Sequence, residues 1–345
     1  MRVSVLESPG RLTLTERDTP RPGPDEVLVE VRAVGVCGSD THYYEHGRIG
    51  DFVVESPLVL GHEASGVVVE VGERVDPSRV GQRVSIEPGV PCRSCPECLA
   101  GRYNLCPDMR FHATPPIDGS FAEFVAVHQA FAHPVPDTIS DDAAALLEPL
   151  SVGVWACRKG GVGPGSRVLV TGAGPIGLVA IQVARAAGAT TIVAADVNPR
   201  RLELARELGA THTVDSSAAP LAEGLAALDD GAGVTPQVLL ECSGHGGATV
   251  DGLRALAPAG HAVLIGMGGD ELALPLSLVQ NRELVVTGTF RYANTWPTAI
   301  ALAGSGAVDL DRLVTGHVGL ADAADALTAS RRDPGAVKTI VRPQS

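Results

Sequence analysis

Four cysteines crowd into one short stretch, Cys92, Cys95, Cys98 and Cys106, spaced C-x2-C-x2-C-x7-C. Four thiolates this close can wrap one Zn²⁺ tetrahedrally and leave no position open, which is structural rather than catalytic metal chemistry. An iron–sulfur cluster can use the same sulfurs, but nothing else in the sequence suggests electron transfer. A second pattern, Gly172-Ala173-Gly174-Pro175-Ile176-Gly177, is a GxGxxG that follows the apolar run Arg167–Thr171 and opens a helical stretch. In that setting Gly172 permits a tight turn, Gly174 lets a pyrophosphate approach the backbone, and Gly177 lets helix pack on strand. The helix N-terminus then faces the phosphates with unpaired N–H groups. Asp196 lies nineteen residues beyond Gly177, at the end of the next strand. A carboxylate there accepts from both ribose hydroxyls and repels a 2′-phosphate, so NAD is expected over NADP. Arg200 and Arg201 follow closely and are placed to grip a 2′-phosphate instead. A third set is Cys37-Gly38-Ser39-Asp40, Gly61-His62-Glu63 and Glu148-Pro149. Spacing alone reads this Cys as a small buried residue and Gly-His-Glu as a turn.

The elements that must position these residues change character near residue 150. Before it, short β-branched runs such as Val27–Val31, Ala64–Val71 and Arg83–Ile86 alternate with Gly- and Pro-rich turns, which reads as an all-β, loop-rich region. After it, strands at Arg167–Thr171, Thr190–Ala195, Val238–Leu240, Ala262–Ile265 and Leu284–Val286 alternate with helices over Ile176–Ala187 and Pro199–Leu208. That alternation predicts βαβ units and a parallel sheet. Beyond about residue 290 one helix-like stretch and a final strand, Lys338–Val341, suggest a return to the first domain. The 345 residues suit two domains.

Composition narrows the partners. The net charge is −13, with no basic cluster to offset it, so nucleic acid and anionic membranes are poor candidates. Lys159 and Lys338 are the only lysines. The N-terminus shows no signal-peptide pattern, and the most apolar stretch, Val168–Ala184, is interrupted by Gly172, Gly174, Pro175 and Gly177. Clustered cysteines in such a chain favour metal over disulfides and a cytoplasmic location.

Several longer stretches carry a resemblance: Gly35–Asp40 with His42-Tyr43, Gly47–Gly50, Gly61–Gly66, Ala113–Pro116, Glu148–Gly153 and Phe290–Pro297. Together with the four-cysteine lobe and the GxGxxG they span almost the whole chain. They resemble the zinc-containing medium-chain dehydrogenases, and especially their polyol branch of sorbitol (L-iditol) 2-dehydrogenases and xylitol dehydrogenases. The resemblance implies an α/β two-domain fold, with a GroES-like β-rich catalytic domain over 1–149, rejoined by 289–345, and a Rossmann NAD-binding domain over 150–288. It implies Cys37, His62 and Glu63 as ligands of a catalytic zinc, with Glu148 on that ion or on its water, and Cys92, Cys95, Cys98 and Cys106 as ligands of a structural one, two ions per chain. Which of Glu63 and Glu148 touches the metal stays open. One thiolate with an imidazole and a carboxylate makes a harder site than two thiolates would, which suits oxygen-rich polyols.

By the same resemblance Ser39 and His42 relay the proton, and Asp40 orients His62 or else serves as a turn residue. Tyr43, Phe52, Phe111, Thr114, Arg291 and Tyr292 match substrate-pocket positions. Ile176, Arg201, Ile265, Met267, Phe290 and Arg291 match cofactor contacts beside Gly172, Gly174, Gly177 and Asp196. The implied activity is hydride transfer from a secondary hydroxyl of a polyol to NAD⁺, giving a ketose, in a homotetramer. Threonine or general secondary-alcohol dehydrogenases are the sibling alternative, and a non-catalytic NAD-binding protein the alternative from another class. The animal polyol enzymes often lack the complete cysteine lobe that this chain has, and His112 and Ala293 sit beside matched positions where close relatives can differ.

Overall fold

The alternation of buried and open side chains in Glu26–Gly35, where Val27, Val29 and Val31 are all 0% exposed, makes this ten-residue strand the spine of the first unit. The computed structural model describes residues 1–231 and 233–345, with Asp230 described by its backbone alone. Its contacts divide the chain into two units, Met1–Glu148 with Leu310–Ser345, and Pro149–Asp309.

In the first unit a seven-stranded sheet runs in the order Ala132–Pro134, Arg83–Ile86, Glu63–Val71, Glu26–Gly35, Lys338–Arg342, Val314–Gly319, and Phe124–His128 also pairs with the spine strand. The pairing is antiparallel except between Val314–Gly319 and Lys338–Arg342, which run parallel. A smaller sheet of Arg11–Glu16, Arg2–Ser8 and Leu58–Val59 lies apart from it. One apolar core gathers Val29, Val34, Leu60, Ile86, Phe121 and Val341. The register sets Gly35 opposite Glu63 on one side and opposite Ile340 on the other. The end of the spine strand, the start of Glu63–Val71 and the last strand therefore meet at one place.

The expectation of an all-β first region needs correction. A helix spans Gly38–His46, closed by Gly47 in the left-handed conformation (φ 68°). It has almost no apolar stripe and packs through Tyr43 and Asp40, so periodicity could not reveal it. A short helix also occupies Asp141–Ala145, and the fourteen-residue helix Leu147–Gly160 begins at the end of this region. The return to the first unit begins at Leu310 rather than 289. The segment before it, which holds the helix Trp296–Gly304, is tied to the second unit, where Arg158 donates to Asn294 O and Thr298 Oγ1 at 2.8 Å each and Asp309 N donates to Gln182 at 2.7 Å. A further helix, Ala323–Arg332, follows the return, so two helices stand where one was expected.

The second unit is a six-stranded parallel sheet in the order His212–Asp215, Thr191–Asp196, Arg167–Thr171, Val238–Glu241, His261–Leu264, Val285–Gly288. Numbered along the unit this is 3-2-1-4-5-6, which reverses beside Arg167–Thr171. The crossover helices include Pro175–Ala186, Pro199–Glu207 and Gly246–Ala255. Leu169, Val193, Leu239 and Ala262 fill the core, and strands buried on both faces read as continuous apolar runs.

Candidate functional site

Cys37 is the cap residue at the start of helix Gly38–His46, one residue beyond the spine strand, and His62 immediately precedes the neighbouring strand that Glu63 opens. The two segments are tied by Asp40. Its Oδ1 accepts from Gly61 N at 2.9 Å and its Oδ2 from Cys37 N at 3.0 Å. The same carboxylate faces His62 Nδ1 at 3.5 Å, which leaves the other ring nitrogen for a metal. Asp40 is fully buried, and burial works to raise its pKa. The His62 charge and the Gly61 and Cys37 amides outweigh that and lower it. Burial likewise opposes charge on His62, yet Asp40 and Cys37 lift the imidazole well above its usual value.

One donor atom each from Cys37, His62 and Glu63 lies within 4.8 Å of the others. Glu63 is 0% exposed, and both its oxygens accept from Lys338 Nζ, one at 2.6 Å. Gly35 makes this possible, since a β-carbon there would overlap Glu63 Oε2. A thiolate, an imidazole and a carboxylate converging in a buried recess, with a carboxylate behind the imidazole, fit a zinc ion that keeps one position open. Glu148, 5% exposed, lies in the first turn of Leu147–Gly160 and acts on the charge of Lys338, but is not in the converging group. Burial opposes the Lys338 charge, and Glu63, Cys37 and Glu148 more than restore it.

Ser39 and His42 share the Cys37 helix one turn apart, hence one face, and the His42 ring lies 5.5 Å from that of His46. Tyr43 on this helix is 3% exposed. The Phe111 ring sits 5.7 Å from the His62 ring, and Thr114 closes a turn with Ile117 three residues on. Phe52, 40% exposed, lies on the two-residue strand Phe52–Val53. His112 is buried with Nδ1 at 3.3 Å from Ser120 Oγ. Burial, then the His62 and Arg110 charges, push its pKa down to about 4.

The lobe cysteines also converge. Backbone amides turn onto the sulfurs, from Cys92 to Cys106 Sγ at 3.3 Å, from Cys95 to Cys92 Sγ at 3.3 Å and from Cys98 to Cys95 Sγ at 3.4 Å. Ser94 and the other amides hold Cys92 down to about 6. Burial and Cys95 push Cys98 up to about 12. The lobe is moored by Tyr103, whose hydroxyl donates to the buried Glu87 at 2.7 Å, while His133 binds the other Glu87 oxygen at 2.8 Å.

In the second unit Gly172 has φ 84°, and a β-carbon there would meet Ser243 backbone at 2.8 Å. A β-carbon on Gly177 would overlap Gly172 O, so these two positions admit only glycine. Gly174 caps the helix Pro175–Ala186, and Ile176 lies in its first turn. Asp196 accepts from Ala173 N at 2.6 Å and from Asn198 N at 2.8 Å. It borders a cavity of about 510 Å³ with Gly172, Ala195, Leu221 and Ser243. Arg201 donates through its backbone to Asn198, and its buried Nε has no partner among the described residues. Ile265 N bonds Glu241 O at 2.8 Å, Met267 is 52% exposed, and the Arg291 guanidinium lies 4.7 Å over the Phe290 ring.

Two residues escaped the sequence reading. Glu241 gathers Ser243 N at 2.9 Å, Gly244 N at 3.1 Å and Thr171 Oγ1 at 3.3 Å, which fixes the loop against Gly172. A carboxylate closing the apolar run Val238–Leu240 was its visible signal. Lys338 was marked by being one of two lysines in an Arg-rich chain.

The alcohol dehydrogenase GroES-like domain model matches residues 23–137, and the zinc-binding dehydrogenase model matches residues 175–305. The chain is 44% identical to the sorbitol dehydrogenase of Macaca fascicularis over 96% of its own length and 93% of that protein. It superposes with TM-score 0.91 on L-idonate 5-dehydrogenase from Escherichia coli K-12, at 30% identity, covering 99% of this chain and 97% of that one. A short chain alcohol dehydrogenase from Escherichia coli CFT073, complexed with cofactor NADH, gives TM-score 0.92 at 30% identity over 99% of each chain.

Proposed function

Because the chain belongs to the zinc-binding dehydrogenases of the medium-chain family, we propose that it oxidises a secondary hydroxyl of a polyol to a ketone with NAD⁺. It is an oxidoreductase that uses zinc and NAD. The reaction balances as secondary alcohol plus NAD⁺ giving ketose, NADH and one proton. The convergence of Cys37, His62 and Glu63 is the observation that carries this reading.

Zinc bound there supplies Lewis-acid polarisation of the substrate hydroxyl. Cys37, His62 and Glu63 hold the ion, and Asp40 keeps the His62 ring oriented through Nδ1. Ser39 and His42 carry the released proton outward along one helix face, His42 at its exposed end. Glu148 works beside the ion rather than as a permanent ligand. Tyr43, Phe52, Phe111 and Thr114 of the first unit contact or wall the polyol, and in the second unit Arg291, beside Tyr292, has a guanidinium suited to paired hydrogen bonds with hydroxyls. The cofactor's pyrophosphate rests on Gly172, Gly174, Ile176 and Gly177, and Asp196 binds its ribose beside Arg201. Ile265, Met267, Phe290 and Arg291 border the rest of it.

The catalytic domain is 1–149 with the returning C-terminal segment, and the NAD-binding domain fills the interval. The four-cysteine lobe holds the second zinc. The protein is a cytoplasmic homotetramer in this reading. Seven unpaired thiols support a reducing compartment, and the open edge strand Val285–Gly288 supports self-association. Among the described residues no helix is long and apolar enough to cross a membrane.

Cys37→Ala tests the reading. Turnover should vanish while NAD binding, measured by fluorescence titration, stays within a few-fold of the parent. Retained turnover would refute the catalytic-zinc assignment. A panel of polyols and amino alcohols, run with NAD and NADP before and after chelation, separates a polyol substrate from threonine.

A further inference from the structure

Lys338 reaches the metal recess from the last strand of the first unit. It is 2% exposed, and every N–H of its ammonium is engaged: two on the oxygens of Glu63, one on Val36 O at 2.8 Å. Val36 immediately precedes Cys37, so one cation grips the backbone behind the thiolate and the carboxylate beside it. The register through Gly35 brings the three strands together here, and the missing side chain at Gly35 leaves the space that Glu63 fills. The recess holds the Cys37 sulfur with the carboxylates of Asp40, Glu63 and Glu148. Ionised together they carry four negative charges, which the two positive charges of a zinc ion do not balance. A buried ammonium makes up part of the difference.

We propose that Lys338 is a positioning residue for the catalytic metal, which shares the Glu63 carboxylate with the ion and so sets how firmly that carboxylate is bound. A carboxylate whose oxygens both accept from an ammonium donates less electron density to a metal than one free of it. Glu63 is thereby a weakened, exchangeable ligand, and the position beside it stays open to substrate oxygen. Removing the ammonium turns Glu63 into a full-strength ligand, which slows metal loss. The proposal rests on the zinc site assigned above.

The test is chelator-driven zinc release from the whole protein, with cobalt-substituted protein as a spectroscopic companion. The parent should carry two zinc ions and Cys37→Ala one, and a parent with a single ion would overturn the site itself rather than the role of Lys338. In Lys338→Met the catalytic zinc should leave about ten-fold more slowly, and the visible band of the cobalt form should move. Lys338→Arg should behave as the parent. Glu63→Gln and the double variant Lys338→Met with Glu63→Gln should release zinc at rates within about two-fold of each other, since the lysine acts through Glu63. Release from Lys338→Met at the parental rate or faster, or a Lys338 effect that persists without Glu63, would overturn the proposal. If Lys338→Met does not fold, Lys338→Gln carries the same comparison, because it keeps a donor and loses the charge.

Discussion

At the scale of single residues, the fate of a side chain depends on what replaces its lost water. Asp196 already accepts two backbone amides and lines a cavity. Asp196→Asn keeps an oxygen for one of those amides, since Ala173 N and Asn198 N bond different oxygens, and gives up the charge that rejects a 2′-phosphate. NAD affinity should fall roughly ten- to hundred-fold, as for lost hydrogen bonds to a charged group, with NADP affinity unchanged or higher. An unaltered ratio of the two dissociation constants would count against the ribose role. His112 illustrates the opposite case, a buried base whose desolvation, with the His62 and Arg110 charges, outweighs the pull of the Asp118 charge. Its pKa of about 4 in the folded chain lies below the ordinary 6.5. The unfolded chain therefore takes up a proton that the folded chain refuses. The stability this represents is complete above about pH 6.5 and is lost as the pH falls toward 4, about 3 kcal/mol in all. In urea melts from pH 7 to pH 4, His112→Gln should lose less stability than the parent, and parallel curves would rule the explanation out.

Among the elements, the cysteine lobe is a loop with little core of its own. Its sulfurs collect amide hydrogen bonds, and Tyr103 and Glu87 moor it to the sheet. Cys95→Ser should lower the zinc content by about one equivalent per chain and lower the melting temperature, because a four-thiolate site contributes folding energy directly. Metal analysis that still finds both ions would disprove the assignment. Five of the six strands described in the second unit were readable to within about two residues, since each is an apolar run ended by turn residues, whereas His212–Asp215, with Val214 its one buried residue, was not. Helix Gly38–His46 was not, because polar residues dominate it and it is held by a cap and by Asp40 rather than by an apolar stripe. The segment from 290 to 309 was placed in the wrong unit for a related reason. Its attachment is decided by long-range bonds, from Arg158 to Asn294 O and Thr298 Oγ1 and between Gln182 and Asp309, which the linear pattern does not contain.

For the molecule as a whole, the open question of assembly turns on the strand Val285–Gly288. It ends the six-stranded sheet with Val285 46% exposed, and Leu276, on the helix before it, is 66% exposed. An uncovered apolar edge invites a second copy. If the proposed homotetramer pairs through this edge, Val285→Lys should lower the light-scattering mass, and an unchanged mass would place the interface elsewhere. The sequence by itself determined what depends on local order: the four-cysteine lobe, the glycine turn with its strand and helix, and the parallel-sheet unit, whose apolar runs and turn residues lie next to one another in the chain. Cys37, His62 and Glu63 became candidates only through resemblance, because twenty-odd residues separate the thiol from the imidazole and no local period joins them. Their convergence was decided by strand register and by Asp40 spanning two segments. The share of Glu63 taken by Lys338, 275 residues away, was decided by the returning strand alone. Long-range pairing of this kind is set by the packing of the whole sheet, which no stretch of sequence specifies on its own.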